Sequence, residues 1–311
     1  MNNKKTVTIG IPAHNEEKNI AKLLDCIFGQ KKDLYRLERL IVACDGCTDN
    51  TAEIVKSYME KYDLVGIIDD GRRLGQAGRL NEFYKINTSD IFITFDADVV
   101  LGSDFVIDEI VKSFTRPNIG LVGGCDTPAA PQNFLEKIAV AWVNAWDEAR
   151  HGFNYGDTVH NHHGCVSAIS GRITNKVEIP LNIIANDQFL YHMVKKLGYN
   201  FRFAKNAVVY YKVPDNFKDY FIQSVRFITI KDRIFEFFGN DIEKEYHIPS
   251  KIKYKALIKV FFKKPFSLVA GIFLQIIIRV VKNRFKEEYK NGVWKTAESS
   301  KWNQSYEIIK H

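Results

Sequence analysis

The sequence predicts an α/β protein built on a mostly parallel sheet flanked by helices, and three observations lead there. Short apolar runs alternate with segments that repeat apolar residues at helical spacing through the first hundred residues. One run, residues 91–95, is apolar everywhere but Thr94, as a strand covered on both faces should be. Each acidic motif of this half follows directly on such a run, and open parallel sheets gather their ligands beyond the carboxyl ends of their strands.

Residues 6–11 read as the first strand, ended by Pro12. Residues 16–28 carry Ile20, Leu23, Leu24 and Ile27 on one helical face, behind Asn15 as a cap. Residues 37–43 form a second strand that runs into the turn Asp45-Gly46-Cys47-Thr48-Asp49. A helix over 51–62 follows, with Asp49 or Asn50 at its N-cap. A third strand at 65–68, a helix at 78–86 and the strand at 91–95 complete the alternation, which requires parallel strands with helical crossovers. Further on, 134–150 reads as an amphipathic helix with Trp142 and Trp146 one turn apart. Residues 187–197 form another, closed by Gly198. A strand is expected at 207–211, and one long aromatic-rich helix at 217–238.

The composition bounds the rest. In 311 residues, 46% hydrophobic, there is room for a full core but not for a multi-spanning membrane protein. The net charge of +7 favours anionic partners. Beyond about residue 240 lysines become dense, and Pro265–Val281 is apolar apart from Gln275 and Arg279, with Lys263 and Lys264 before it and Lys282, Arg284 and Lys286 after. Three readings of that stretch stand open: a helix lying in a membrane interface, a short span or re-entrant helix, and an ordinary buried helix. Two domains are therefore expected, a catalytic one over 1–235 and a basic, membrane-associating helical tail over 236–311. The opening Met1-Asn2-Asn3-Lys4-Lys5 lacks a signal peptide's apolar stretch, so a cytoplasmic location is expected. Five scattered cysteines are no disulfide framework, and the lone Cys44-x-x-Cys47 reads as two small residues at a strand-to-loop junction.

Four motifs carry chemistry. Asp96-Ala97-Asp98 closes a buried strand, where residues two apart point to one face and two carboxylates converge on a hard cation such as Mn2+ or Mg2+. Asp45 ends the second strand, where a carboxylate can accept from a nucleobase or ribose. Gly75-Gln76-Ala77-Gly78-Arg79 opens a helix as phosphate sites do, with Arg72, Arg73 and Arg79 supplying positive charge. His160, His162 and His163 fall in a polar stretch expected as a surface loop, whose sharper reading is a border of the acceptor site that lends an imidazole to the metal.

Together these segments resemble glycosyltransferase family 2, the inverting GT-A transferases. The resemblance lies in Ile11-Pro12-Ala13-His14-Asn15-Glu16-Glu17, Asp45 to Thr51, Gly75 to Asn81, and Asp96-Ala97-Asp98, in order and spacing. It continues through Asn186-Asp187, and through Gln223-Ser224-Val225-Arg226-Phe227, a variant of the Gln-x-x-Arg-Trp motif of cellulose, chitin and hyaluronan synthases. The resemblance implies that Pro12, His14, Glu16, Asp45, Arg72, Gln76, Arg79 and Asp96 bind the donor, with Asp45 on uracil and Asp96 on ribose or diphosphate. It implies that Asp98 ligates the metal and that Asp187 is the catalytic base. His163, Asn186, Gln223 and Arg226 would line the acceptor and diphosphate end. Gln76 stands where the family often has lysine, with Arg72 or Arg79 expected to compensate. Asn186 stands for glutamate and Phe227 for tryptophan.

The implied reaction moves a hexose or N-acetylhexosamine from a UDP-sugar to a lipid-linked or glycan hydroxyl at the cytoplasmic face of a membrane, and a growing polymer would need a membrane partner protein to cross. Two alternatives compete: a non-catalytic nucleotide-binding scaffold of a glycan-assembly complex, and a sugar-nucleotide nucleotidyltransferase. The latter wants a glycine-rich, arginine-bearing loop where Pro12-Ala13-His14-Asn15 stands. Nucleic acid is not an expected partner, because the basic residues gather around an apolar segment.

Overall fold

The computed structural model describes residues 4–229, 231–281 and 298–302, and the side chains of residues 226–232 lie outside the described set. Lys282, Arg284 and Lys286 of the basic flank also lie outside it. The chain forms two compact units, one of Met1–Thr127 with Asn161–Tyr211 and one of Pro128–His160 with Lys212–His311.

The first unit is an eight-stranded sheet: β1 (Lys5–Ala13), β2 (Tyr35–Cys44), β3 (Val65–Ile68), β4 (Ile91–Phe95), β5 (Val100–Leu101), β6 (Ile119–Pro128), β7 (Val166–Ser170) and β8 (Asn200–Tyr211), in the order β3-β2-β1-β4-β7-β6-β8-β5. The four strands β3-β2-β1-β4 run parallel, joined through α1 (Ile20–Phe28), α2 (Thr51–Met59) and α3 (Gly75–Ile86). At β4 the sheet turns antiparallel, with Ile91 opposite Ser170 and Phe95 opposite Val166. α4 (Val106–Ser113) and α6 (Asn186–Lys196) complete this unit. The expected α/β architecture is borne out.

Burial explains the strands. Val7, Ile9 and Ile11 of β1 are wholly buried, and so is the α1 stripe Ile20, Leu23, Leu24 and Ile27. Gly10 lets β1 pass over two rings: a Cβ there would stand 2.4 Å from Phe92 and 2.8 Å from Phe83. Pro12 does not end β1, as expected, but pairs with Ala43 inside it. The pairing with β4 has stopped at Gly10, so the strand has one partner there, and proline's missing N–H leaves no gap in the ladder. α1 starts at Ile20 rather than at residue 16, because Asn15 takes a left-handed φ of 54°. The Asn15 side-chain carbonyl accepts from the Thr48 backbone N–H at 2.8 Å. Asp49 is the acceptor at the head of α2, taking the Thr51 N–H at 3.0 Å.

The second unit is helical: α5 (Phe134–His151), α7 (Phe217–Thr229), α8 (Lys231–Phe238), α9 (Ser250–Lys263) and α10 (Pro265–Val281). The helix expected over 217–238 is helical on both sides of residue 230, which lies outside the described residues. α5 begins in a capping box between Asn133 and Glu136. Its Ala141 and Ala145 form a small core with Val260 of α9 and Leu268 of α10. Trp146 packs edge-on against His160 with centroids 5.1 Å apart. Among the described residues no helix is long and apolar enough to cross a membrane.

Candidate active site

The parallel half of the sheet delivers its acidic residues to one end. β1, β2 and β4 finish at Ala13, Cys44 and Phe95, so the loops that follow hold His14, Asp45 and Asp96 side by side in the order the strands dictate.

Asp45 is 6% exposed and held by three donors: the backbone N–H of Leu74 at 2.7 Å, that of Gly75 at 3.0 Å, and Arg79 Nε at 3.0 Å. A carboxylate has about four acceptor positions, so this one keeps one for a ligand. Gly75 has a left-handed φ of 74°, and its N–H reaches the carboxylate from there. His14 places Nδ1 2.8 Å from the Asp45 carbonyl oxygen, which makes that nitrogen the donor; Arg73 lies against the ring's other nitrogen.

Arg79 does not stand where the resemblance implies. Its side chain is wholly buried, and all five N–H groups are taken by Asp45, Asp70, Glu82 and the carbonyls of Cys44 and Arg72. A guanidinium so enclosed has no donor left for a phosphate; it braces the Asp45 loop. Arg72 pairs with Asp70 and with Glu82 at 2.9 Å and is largely exposed. Hydrogen bonds from Arg79 and Arg72 hold the Asp70 carboxyl well below the usual carboxylate range. Glu16 is buried and accepts from the Asn19 amide at 2.7 Å. Pro12 lies within β1. The Cys-x-x-Cys pair is reduced: hydrogen bonding between them pulls the Cys47 thiol down to about 7 and pushes Cys44 up.

Gln76 ties the site together. Its Nε2 donates to Asp96 Oδ1 at 2.9 Å, and its Oε1 accepts from Asn186 Nδ2 at 3.3 Å. Asn186 opens α6 and is 8% exposed, and its Oδ1 is buried without a hydrogen-bond partner, the kind of atom a bound ligand satisfies. Gly164 lies so near that a Cβ would stand 3.3 Å from Asp96 Oδ2.

His162 corrects the expected surface loop. It is fully buried; its Nδ1 donates to the Asp187 carbonyl at 2.7 Å, and its Nε2 accepts from the Ser167 hydroxyl at 2.7 Å. Burial, aided by neighbouring His163 and opposed by the bond to the Asp187 carbonyl, lowers its pKa to about 4, so the ring is neutral. It pins the first turn of α6, where Asp187 Oδ1 accepts the Gln188 N–H at 2.8 Å. His163 is part-exposed and meets Asp126, a 5% exposed residue of β6, at 2.8 Å. Asp126, Asp70 and Glu82 belong to no motif visible in the sequence. His192 is buried on α6, its ring edge-on to Tyr191.

Gln223 is part-buried on α7 of the second unit, and the side chains of Arg226 and Phe227 lie outside the described residues. Among the described residues no group of three or more histidines, cysteines or acids forms a ready-made metal cage. Asp96 and Asp98 nevertheless suit a magnesium or manganese ion, since such ions take one or two carboxylates and fill the shell with phosphate oxygens and water. Any side chain at position 164 would crowd the Asp96 carboxylate.

Residues 8–177 match the model of the family described as Glycosyl transferase family 2. Similar curated proteins include the probable glycosyltransferase YdaM of Bacillus subtilis (strain 168), 26% identical over 236 residues, which cover 71% of this chain and 54% of that protein. The poly-beta-1,6-N-acetyl-D-glucosamine synthase of Staphylococcus aureus (strain COL) is 28% identical over 132 residues, 42% of this chain and 31% of that one. The chain thus spans about half the length of the first relative and a third of the second. Among solved structures, the mannosyltransferase PcManGT from Pyrobaculum calidifontis, in complex with GDP-Man and Mn2+, superposes with a TM-score of 0.59 at 21% identity, over 88% of this chain and 74% of that one. The glucosyl-3-phosphoglycerate synthase from Mycobacterium tuberculosis, in complex with Mn2+, UDP and glucosyl-3-phosphoglycerate, gives 0.51 at 15% identity, over 75% and 79%. At these identities the likeness speaks for the fold, which is GT-A. The family match takes in more than half of the chain, including the strands that deliver Asp45, Asp96 and Asp98, and the protein belongs to glycosyl transferase family 2.

Proposed function

We propose that this transferase moves a hexose or N-acetylhexosamine from a UDP-sugar to a hydroxyl of a lipid-linked or glycan acceptor at a membrane surface, with inversion and with Mn2+ or Mg2+. The observation that carries the reading is the line Asp96–Gln76–Asn186, which joins the Asp-x-Asp motif to the head of the helix bearing Asp187. A donor diphosphate beside Asp96 and an acceptor hydroxyl beside Asp187 would then share one small site.

In this reading Asp45 takes the base of the nucleotide through its remaining acceptor position, and Asp96 and Asp98 hold the cation. When bound, that cation offsets the charge that gathers on the leaving diphosphate. Asp187 accepts the proton of the attacking hydroxyl as the new bond to the anomeric carbon forms and the bond to the diphosphate oxygen breaks. It stands in the first turn of α6, where its Oδ1 accepts the Gln188 N–H. His162 holds the backbone of Asp187 still while the proton moves. His163, steadied by Asp126, borders the acceptor. Gln223 and Arg226 are proposed to serve the acceptor and diphosphate end as their counterparts do in the polysaccharide synthases, within a catalytic region over 1–235.

The test is binding and turnover by the purified protein with a panel of nucleotide sugars and either metal. Metal-dependent binding of one UDP-sugar is expected, lost in Asp98→Ala. Asp187→Asn should keep binding and lose turnover by about a hundredfold or more, the usual worth of a positioned base. Failure of every nucleotide sugar to bind with either metal would sink the reading.

A further inference from the structure

α9 and α10 form a helical hairpin whose tip is Phe261-Phe262-Lys263-Lys264-Pro265-Phe266. One row of α10 is packed inside the second unit. Leu268 and Ile278 are buried there, Gly271 lets the helix approach Trp142 of α5 to 3.3 Å from where a Cβ would stand, and Gln275 Nε2 donates to the Tyr220 hydroxyl at 2.9 Å. The opposite row is just as apolar and faces outward. Phe266 is 89% exposed and Phe262 82%, and Phe273, Ile277 and Val280 continue the strip along α10. Soluble surfaces scatter single apolar residues, but a contiguous strip of this kind marks a binding face.

Charge names the occupant. Residues 250–281 hold seven basic side chains (Lys251, Lys253, Lys255, Lys259, Lys263, Lys264 and Arg279) and no acidic one, and of the seven Lys259 pairs with Glu148 of α5 at 2.7 Å. The seven charges equal the whole chain's net +7, so the rest of the sequence is balanced. Long cationic side chains beside bulky apolar ones suit a bilayer interface, where the rings enter the acyl boundary and the amines reach lipid phosphates. The described part of α10 is not long and apolar enough to cross a membrane. With its inner row held by α5 and α7, it can offer lipid only one side.

We infer that the α9–α10 hairpin is a docking face for an anionic lipid surface, lying flat with the Phe262 and Phe266 tip inserted. This deepens the membrane reading above and rests on it. Vesicle binding needs neither donor nor turnover, so its failure would leave the transfer chemistry standing.

The test is flotation of the full chain with phosphatidylcholine vesicles, with and without phosphatidylglycerol. Binding to the mixed vesicles is expected and should fall about tenfold or more between low and high salt. The pair Phe262→Ser and Phe266→Ser, at positions that contribute little to the folded core, should weaken binding on the order of a hundredfold with an unchanged melting temperature. Replacing Lys251, Lys253 and Lys255 by Gln should remove the preference for phosphatidylglycerol. Equal recovery of the wild type and the phenylalanine pair would overturn the inference. So would equal binding to both vesicles, or a lipid-free dimer that the phenylalanine changes dissociate.

Discussion

Replacing Arg79 with methionine should lower the melting temperature of the first compact unit far more than it weakens any phosphate contact. The guanidinium is wholly buried and neutralises Asp45, whose side chain is 9% exposed, together with Asp70 and Glu82 at 27% each. Removing one partner of a buried ion pair typically costs about 3–5 kcal/mol, because the other charge stays behind without a counterion. Asp70 and Glu82 reach water and add little to that figure. The unit has about 180 residues, so its unfolding entropy is roughly 0.37 kcal/mol/K and the drop should be about 8–13 °C. Arg79→Lys keeps the charge but not the five-donor fork and should fall between. Arg72→Met removes only a largely exposed pair and serves as the control, expected to shift melting by no more than about 3 °C. Calorimetry and a donor-binding titration on the same samples decide the matter. If Arg79→Met melted within about 2 °C of wild type while donor affinity fell tenfold, the arginine would be a phosphate ligand and the bracing argument would be wrong.

Two further outcomes follow from the same unit. His162 has a folded pKa of about 4 against an ordinary 6.5, so the unfolded chain binds its proton first as the pH drops. Stability should be full above pH 6.5 and fall by about 3 kcal/mol toward pH 4, and urea titrations of His162→Gln should lose that part of the slope; an unchanged slope would count against it. Gln76→Lys and Asn186→Glu should each lower turnover, and the double variant should recover on the order of tenfold, because an ion pair would then replace the amide–amide bond. Strictly additive losses would show that the two residues act separately.

The parallel half of the molecule was legible because each of its pieces is local. A strand, a turn and a helix over some thirty residues reveal themselves by periodicity and turn chemistry, so β1 to β4 and the helices between them stood close to where they were expected. β6 and β7 did not announce themselves. β6 carries Gly123-Gly124, poor strand formers in isolation, and β7 is only Val166–Ser170, which becomes a strand by lying between β4 and β6.

The site divided in the same way. Residue types and strand-end positions singled out Asp45, Asp96 and Asp98 from the sequence, since a carboxylate's chemistry is intrinsic to it, and the family resemblance singled out Asp187. What those groups are bonded to was decided by folding. Arg79 looked like a phosphate ligand because a positive residue near a glycine is all that the local pattern contains. The chain then brings Asp45, 34 positions earlier, and Asp70 against it and uses up every donor. His162 stands in a polar stretch that no periodicity marks as buried, and Asp126 in a strand that no motif marks at all. Spacing along the chain therefore determined the parallel strands and the acids at their ends. Which side chains are enclosed, ionised or left open to a ligand was settled only by contacts between residues far apart in sequence, because burial and counterions belong to the packed structure.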